Sequence, residues 1–511
     1  MSALNWSEAF SLLMDVRVMM YLFIGVIIGV VIGALPGLSA TMGIALITPI
    51  TFWLDKTYGF AMMMGLWNAA IFAGGITAIL INTPGTPASI TQAFDGYPLY
   101  KQGKGGLALG INTIFSFMGG MVSILMLILF AKPIANFTKQ FGSAEYVMVA
   151  LFGLSMMIAV SGGDILKGLL LGALGLLLST VGTDEATSNL RFTFGVLNLA
   201  AGIDFIPVMI GLFGTAEVFY QIYTHNREQE AAEHEQRKEN LAIGKMLPDF
   251  KEFCKLSPRC LIVSLVATIV GAIPAAGGDI SAIICWGNSK KLSKEGDKYG
   301  KGSVEGLAVS SAANNGVIGG AMCTMLTLGL PGDSVTAILL GSLTMYGLQP
   351  GASMFKAENA TFTCEIMILM VMANIAFLII GLLTSKVTAK VLNIAQPTVW
   401  AAVSMLCIIG SFCINNRFSD VIIMLVMGVL GFFFKVYGFP TGPLVLGLLL
   451  GPTMEKNMRR ILSSKQGDWS VFLSRPISCV ILILVVASFV APVVVNAIKK
   501  KKAASAGQES N

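Results

Sequence analysis

The chain has 511 residues, of which 55% are apolar and only 12% are charged, and its mean hydropathy is +0.77. Soluble domains usually carry about 25% charged residues, so the composition excludes a string of soluble domains and indicates a protein embedded in lipid. The net charge of +6 does not indicate nucleic-acid binding, because the basic residues stand in short loops without interleaved aromatic residues. They match the loop lysines and arginines that orient a membrane protein.

Long apolar runs recur along the chain, and about 20 such residues cross a hydrocarbon core about 30 Å thick. We therefore predict an all-α integral membrane protein with ten to twelve transmembrane helices. Three further stretches, 60–93, 305–346 and 437–451, are apolar but broken by Gly, Pro and polar residues, which is typical of interrupted helices or re-entrant hairpins. The clear runs cover residues 18–35, 107–131, 145–160, 164–181, 196–222, 258–274, 362–385, 398–414, 418–434 and 477–498.

One polar segment divides the chain near its middle. Residues 223–257 mix six Lys or Arg residues with seven Asp or Glu residues, which is typical of a solvated connector. We predict a first transmembrane repeat at 1–222, a second repeat at 258–498, and a polar basic tail at 499–511. The positive-inside rule places the connector and the tail in the cytoplasm.

Two Pro-containing motifs recur in the same order in the two halves. Pro274 follows Pro36 by 238 residues, and Pro331 follows Pro84 by 247 residues. We therefore expect two structural repeats, of opposite orientation. A helix broken at Pro-Gly exposes backbone groups at its ends; the N-terminus of the following half-helix attracts anions, and carbonyl ends can hold a cation. Paired broken segments point to a transporter binding site, although prolines that only kink helices remain the alternative.

Polar residues around these motifs are the candidate ligands, and each has a structural alternative. Hydroxyl groups beside a break bind a carboxylate or cap a helix equally well. Adjacent Asn314 and Asn315 are costly to bury without partners, so they suit contact with an anion, with a cation, or between packed helices. Asp279 and Asp333 are candidates for the coupling cation or for helix caps. The predicted substrate-binding residues are Pro36, Gly37, Asn82, Thr83, Pro84, Gly85, Thr86, Asn314, Asn315, Pro331, Gly332 and Ser334.

Other classes of function find little support. The two histidines, His225 and His234, lie in the polar connector, and the sequence contains no HExxH, no GxSxG and no phosphate-binding loop. The eight cysteines have no metal-ligand spacing. We therefore predict that the chain is not an enzyme and needs no cofactor apart from Na⁺ as a coupling ion. An intramembrane enzyme or a channel stays the alternative, although no filter motif stands out.

Asp95 is expected in a turn near the membrane interface.

Four blocks carry a pattern long enough to be specific. At these blocks the chain resembles the large membrane subunit of the tripartite tricarboxylate transporter family. The blocks are GALPGLSATMGIALITPITF (33–52), GGITAILINTPGTPASITQAFDGYPLYKQGKGGLALG (74–110), GKGSVEGLAVSSAANNGVIGGAMCTMLTLGLPGDSVTAILLG (300–341) and YGFPTGPLVLGLLLGPTMEKNMRRIL (437–462).

The resemblance implies a secondary transporter subunit of the bacterial inner membrane that imports a small tricarboxylate or dicarboxylate on a Na⁺ or H⁺ gradient. It also implies a small membrane subunit and a periplasmic binding protein as partners, and it leaves self-association open. Two positions depart from the family pattern: Pro274-Ala275 stands where the family tends to have Pro-Gly, and Ser310-Ser311 where it often has Pro-Glu. The second departure removes a carboxylate near the expected site and predicts a change in the size or charge of the substrate.

Overall fold

The computed structural model describes residues 5–35, 37–160, 165–184, 186–224, 246–274, 277–391 and 396–489. Helices dominate these residues, and a short ribbon pairs Gly182–Thr183 with Leu190–Arg191, so the all-α fold class is confirmed. The helices are α1 Trp6–Leu13, α2 Val16–Gly33, α3 Ala40–Thr51, α4 Lys56–Ile81, α5 Ile90–Lys101, α6 Gly105–Thr138, α7 Ser143–Val160, α8 Ile165–Ser179, α9 Phe205–Thr224, α10 Phe250–Gly271, α11 Gly277–Leu292, α12 Val304–Gly316, α13 Ile318–Leu328, α14 Ser334–Met345, α15 Ala357–Val391, α16 Gln396–Asn415, α17 Phe418–Val436, α18 Gly442–Ser464, α19 Val471–Ser474 and α20 Pro476–Phe489.

Eight helices in the described part of the chain are long and apolar enough to cross a membrane, and five shorter helices are also apolar. The chain is therefore a multi-pass membrane protein, while the count of ten to twelve spans stays a prediction. Small residues let these helices approach closely. A Cβ atom at Gly25 of α2 would lie 2.1 Å from the carbonyl oxygen of Met62 in α4, and Gly29 meets the Leu66 carbonyl in the same way.

Two of the three predicted interruptions are confirmed. Helix α4 ends at Ile81 and α5 begins only at Ile90; helix α13 ends at Leu328 and α14 begins at Ser334. Each helix is closed by a residue in the left-handed region, Asn82 with φ 56° and Gly329 with φ 70°. The proline that follows in each segment disfavours helical geometry in the residue before it. We call residues 82–89 the first break and residues 329–333 the second break.

The third predicted interruption, at 437–451, is wrong for residues 442–451, which lie in a helix. Helix α18 runs without a break from Gly442 to Ser464. Pro443 stands in its first turn, where a backbone N–H has no partner within the helix, and Pro452 is accommodated inside it. The predicted connector also ends earlier than expected, because α10 begins at Phe250. Residues 225–245 and the predicted tail lie outside the described residues.

The contacts divide the chain into two compact units. The first comprises Met1–Thr138 and Asp204–Val436 and contains both breaks, and Trp67 and Phe115 are fully buried in it. The second comprises Lys139–Ile203 and Tyr437–Asn511. Ion pairs link distant parts of the second unit: Arg459 to Asp184 at 2.8 Å, Arg191 to Glu455 at 2.6 Å and Arg475 to Glu145 at 2.5 Å. These units do not follow the halves that the sequence suggests.

The order of elements nevertheless recurs in the two halves. The series α2, α3, α4, break, α5, α6 is followed later by α10, α11, α12 with α13, break, α14, α15. A close contact recurs too: a Cβ atom at Gly85 would lie 2.4 Å from the Gly33 carbonyl oxygen, and one at Gly332 would lie 2.7 Å from that of Gly271. The superposition of the two halves and their opposite orientation stay predictions.

Candidate functional site

At the first break the chain leaves α4 at the exposed Asn82 and becomes buried again at Gly85. The Thr83 hydroxyl donates to the carbonyl of Ile81 at 3.3 Å, which is the capping alternative for this side chain. The Gly85 amide donates to the carbonyl of Gly74 at 3.2 Å. A Cβ atom at Gly85 would also lie 2.8 Å from the Gly74 Cα. Only glycine lets the broken chain pack this closely against α4.

Thr86 holds the turn that starts the next helix. Its amide donates to the Ser89 hydroxyl at 3.2 Å, and that hydroxyl donates back to the Thr86 carbonyl at 2.7 Å. The Thr86 side chain is only 7% exposed, and its own hydroxyl has no hydrogen-bond partner among the residues that the structure describes. A buried hydroxyl without a partner is costly, and this one lies against Gly74 of α4, so its hydrogen-bonding capacity is left unsatisfied.

The second break repeats this turn with a charged residue. The Asp333 amide donates to the Thr336 hydroxyl at 2.9 Å, and that hydroxyl is within donating distance of both the Asp333 carboxylate, at 2.7 Å, and the Asp333 carbonyl, at 3.0 Å. In addition, the Thr336 amide donates to the Asp333 carboxylate at 2.7 Å, which completes a capping box. Pro331 and Gly332 are buried, and Ser334 is half-buried. Asp333 therefore caps α14, and its predicted contact with a cation stays a prediction.

The two turns occupy equivalent positions, because Asp333 follows Thr86 by 247 residues, the spacing of Pro84 and Pro331. Both have the same pair of hydrogen bonds between the first residue and the residue three positions later. The difference lies in charge: the second turn holds a carboxylate of its own chain, and the first turn holds a neutral hydroxyl.

The start of α11 lies against both breaks. A Cβ atom at Gly277 would lie 3.7 Å from the Asp333 Cβ, and one at Gly278 would lie 3.2 Å from the Ala88 Cβ and 3.8 Å from the Asn314 carbonyl oxygen. The N-termini of α5, α11 and α14 thus meet in one region. Each N-terminus carries a partial positive charge. The N-terminus of α14 is already capped by the Asp333 carboxylate, so an anion is favoured at the N-termini of α5 and α11.

Other predicted residues do not join this region or fall outside the description. Pro36 and the side chain of Asp279 lie outside the described residues. Gly37 is in the left-handed region with φ 82°, and its Cα faces the Gln221 side chain, where a Cβ atom would meet the amide nitrogen at 2.4 Å. Gly37 belongs to the N-terminal side of α3, and its predicted contact with substrate stays a prediction.

The asparagine pair lies in the last turn of α12 and is fully buried. The Asn314 side-chain amide donates to the Ile71 carbonyl at 3.1 Å, and that of Asn315 donates to the Asn68 carbonyl at 3.3 Å. Both side chains therefore contact α4, as the packing alternative expects. Their side-chain oxygens have no hydrogen-bond partner among the described residues, so the packing against α4 does not satisfy them.

A buried polar cluster beside the pair was not foreseen. Gln92 donates to Asn112 at 2.8 Å and to the Ser311 hydroxyl at 3.3 Å, and Ser311 donates to Asn112 at 3.0 Å. All three side chains are 0% exposed. Ser311 is the position where the resembled family often has a glutamate. The sequence offers no spacing or motif that would connect residues on α5, α6 and α12.

Asp95 lies inside α5 and not in a turn, so that expectation is wrong. Its carboxylate is fully buried and accepts three hydrogen bonds from the segment around α11. The amides of Gly300 and Ser303 donate to it at 2.8 and 2.9 Å, and the Trp286 indole donates at 2.8 Å. This carboxylate fixes the helix after the first break to the loop that precedes α12.

Asp95→Asn is expected to destabilise the folded protein by about 1.5–3 kcal/mol, because hydrogen bonds to a charged group are replaced by a neutral amide that cannot accept all three. The measurement is the thermal unfolding midpoint in detergent. Asp297→Asn is the matched control, since Asp297 is exposed in the neighbouring segment and such surface changes usually stay within about 0.5 kcal/mol. Equal unfolding midpoints for the two variants would contradict the role of Asp95.

Sequence comparison identifies the family of this membrane protein. The model of the tripartite tricarboxylate transporter TctA family matches residues 19–446, which is most of the chain and includes both breaks. The chain belongs to the TctA family. As a member of a tripartite transporter family, it is a transporter subunit that works with partner subunits. The family has transport as its activity, not catalysis.

Two curated relatives come from Agrobacterium vitis. The chain is 33% identical over 460 residues to an uncharacterized 52.8 kDa protein in the TAR-I ttuC' 3' region, covering 90% of both chains. It is 31% identical over 215 residues to an uncharacterized protein in the TAR-II ttuC' 3' region, covering 42% of this TctA-family chain and 88% of the relative. No solved structure matches the chain.

Proposed function

We propose that this chain is the large permease subunit of a secondary active transporter that imports a small dicarboxylate or tricarboxylate across a bacterial inner membrane. A Na⁺ or H⁺ gradient drives the import. A periplasmic binding protein delivers the substrate, and a small membrane subunit completes the complex. The family supports the transporter class, and the N-termini of α5 and α11, which meet at the first break, support an anionic substrate.

One observation carries the choice of site. At the second break the turn binds the carboxylate of Asp333, whose oxygen accepts from the Thr336 amide at 2.7 Å. At the first break the equivalent residue is Thr86, with a buried hydroxyl that has no partner in the part of the protein that the structure describes. We infer that a carboxylate of the substrate binds at the first break, beside Thr86 and the start of α11. The carboxylate of Asp333 repels an anion from the second break.

Two lysines at the end of α5 that is remote from the first break can attract an anion to the protein surface. Lys101 and Lys104 are exposed at the end of α5. Lys101 lies over the ring of Tyr97 at 4.6 Å from its centre, so the ammonium group stays near the surface. Exposed charges of this kind raise the local concentration of an anion and act less at high ionic strength. They do not form the binding site itself.

The test is uptake of labelled dicarboxylates and tricarboxylates into proteoliposomes that contain the chain and its small membrane subunit, with the binding protein outside. We expect uptake against a concentration gradient when an inward Na⁺ or H⁺ gradient is imposed, and loss of uptake when that gradient is removed. Uptake that only equilibrates the substrate, whatever the ion gradient, indicates a channel. Chemical conversion of the substrate indicates an enzyme. Either result contradicts the proposal.

A further inference from the structure

Three buried asparagines meet where α4 packs against α12, and all three have the same hydrogen-bonding pattern. Asn68, Asn314 and Asn315 are 0% exposed. The side-chain amide of Asn68 donates to the Met64 carbonyl at 2.9 Å, and those of Asn314 and Asn315 donate to carbonyls of α4. Within the described part of the chain, the side-chain oxygen of each has no hydrogen-bond partner. The three oxygens belong to one turn of α4 and the facing turn of α12.

The atoms without partners in this cluster are of the kind that binds a cation. An asparagine offers two N–H donors and one carbonyl acceptor. Here a donor of each amide is engaged by a main-chain carbonyl, and the acceptors are the groups without partners. A carboxylate needs donors, and each amide nitrogen keeps one further N–H group, but the atoms without any partner are the acceptor oxygens, which suit a cation. Carbonyl oxygens are the ligands that hard cations such as Na⁺ prefer.

The position of the cluster relates the two halves. Asn315 follows Asn68 by 247 residues, the spacing that also relates Thr86 to Asp333. The Asn315 side chain contacts the main chain of Asn68 directly, at 3.3 Å. Equivalent residues of the two halves thus touch each other, and the cluster lies where the halves meet.

We propose that Asn68, Asn314 and Asn315 form a binding site for Na⁺ through their side-chain carbonyl oxygens. None of the three ionises, so the site binds a metal cation and not a proton. The main-chain oxygen of Asn314 lies beside Gly278, which also contacts Ala88 of the first break. Resting on the proposed function, the bound Na⁺ lies next to the substrate carboxylate and offsets its charge, which couples the two binding events.

The test needs no substrate. The purified full-length chain in detergent is titrated with NaCl, KCl or choline chloride at constant ionic strength, and the unfolding midpoint is recorded, because a ligand that binds the folded state raises it. We expect stabilisation by Na⁺ but not by choline, and weaker stabilisation by K⁺. We call the Na⁺ concentration that gives half of the maximal stabilisation the Na⁺ midpoint. In Asn68→Ala and Asn315→Ala, the Na⁺ midpoint is expected to rise at least tenfold.

Asn374→Ala is the matched control. Asn374 is equally buried, its amide donates to the Phe117 carbonyl at 2.9 Å, and its oxygen has no partner among the described residues, but it stands apart, because the other asparagine of α15, Asn359, lies 15 residues earlier. This variant is expected to unfold at a lower temperature with an unchanged Na⁺ midpoint. An unchanged Na⁺ midpoint in Asn68→Ala and Asn315→Ala, or equal stabilisation by Na⁺ and choline, would overturn the site.

A second variant serves if the alanine variants do not fold. Asn315→Asp keeps an oxygen ligand and adds a charge, so its Na⁺ midpoint is expected to fall as the pH rises and the new carboxyl group ionises. A Na⁺ midpoint equal to that of the unaltered chain at every pH would overturn the site. Na⁺ binding without carboxylate uptake contradicts the proposed function alone, whereas Na⁺-independent uptake contradicts the site alone.

Discussion

Replacing Gly85 with alanine is expected to abolish transport and to reduce sharply the yield of folded protein. The added Cβ atom would lie 2.4 Å from the Gly33 carbonyl oxygen and 2.8 Å from the Gly74 Cα. Both neighbours are main-chain atoms of packed helices, so α2 or α4 must move to make room. Overpacking of this kind typically costs about 1–3 kcal/mol and sometimes more. The first break then loses its position against α4.

Gly332→Ala is expected to act in the same way at the second break. Its Cβ atom would lie 2.5 Å from the Ala321 Cα and 2.7 Å from the Gly271 carbonyl oxygen. Gly287→Ala is the matched control, because that glycine is in α11 and a Cβ atom there would meet nothing within 4 Å. Alanine favours a helix over glycine by up to about 1 kcal/mol.

The measurements for the glycine series are the monodisperse fraction in size-exclusion chromatography, the unfolding midpoint, and carboxylate uptake. We expect Gly287→Ala to match or slightly exceed the unaltered chain in stability. If Gly85→Ala folds and transports as Gly287→Ala does, the tight packing of the first break is refuted.

Thr86→Asp is expected to weaken carboxylate binding roughly a hundredfold or more without preventing folding. Two like charges about 4 Å apart repel by about 4 kcal/mol at an effective dielectric constant near 20, which exceeds a hundredfold in affinity. Folding should tolerate the change, because the equivalent Asp333 caps α14 in the same turn. The new carboxylate would take the place that we assign to the substrate.

Thr86→Ser is the control for this charge effect, since it keeps the hydroxyl and removes one methyl group. The affinity of the purified complex for labelled carboxylate is measured at saturating Na⁺, together with the unfolding midpoint. We expect Thr86→Ser to bind within a few-fold of the unaltered chain. If Thr86→Asp binds the carboxylate as tightly as the unaltered chain, the substrate binds elsewhere. If affinity and stability fall together, Thr86 has only a structural role.

The sequence predicted the breaks because their cause is local. Pro84 and Pro331 restrict the residue before them and lack an N–H group, and the repeat of this pattern at one spacing revealed both. The same signal misled at 437–451, because Pro443 stands in the first turn of α18, where proline is compatible with a helix. A proline alone does not tell the start of a helix from its interruption.

The roles of the asparagines could not be predicted, because they depend on contacts far apart in the chain. Asn68 lies in the uninterrupted α4, with no Pro or Gly beside it to mark it. The side-chain amides of Asn314 and Asn315 reach carbonyls on α4 more than 240 residues earlier, and this alone determines that the oxygens face away from protein partners. Asp333 was ambiguous for the same reason: capping and ligand binding need the same residue type at a helix N-terminus.

The most direct test of the account is to determine where a transported carboxylate binds. The measurement is an electron cryo-microscopy map of the chain with its partner subunits in lipid nanodiscs, with Na⁺ and a carboxylate taken from the uptake assay. We predict density for the anion within hydrogen-bonding distance of the Thr86 hydroxyl, between the first break and the start of α11. Anion density at the second break beside Asp333, or away from all three helix N-termini, would contradict the account.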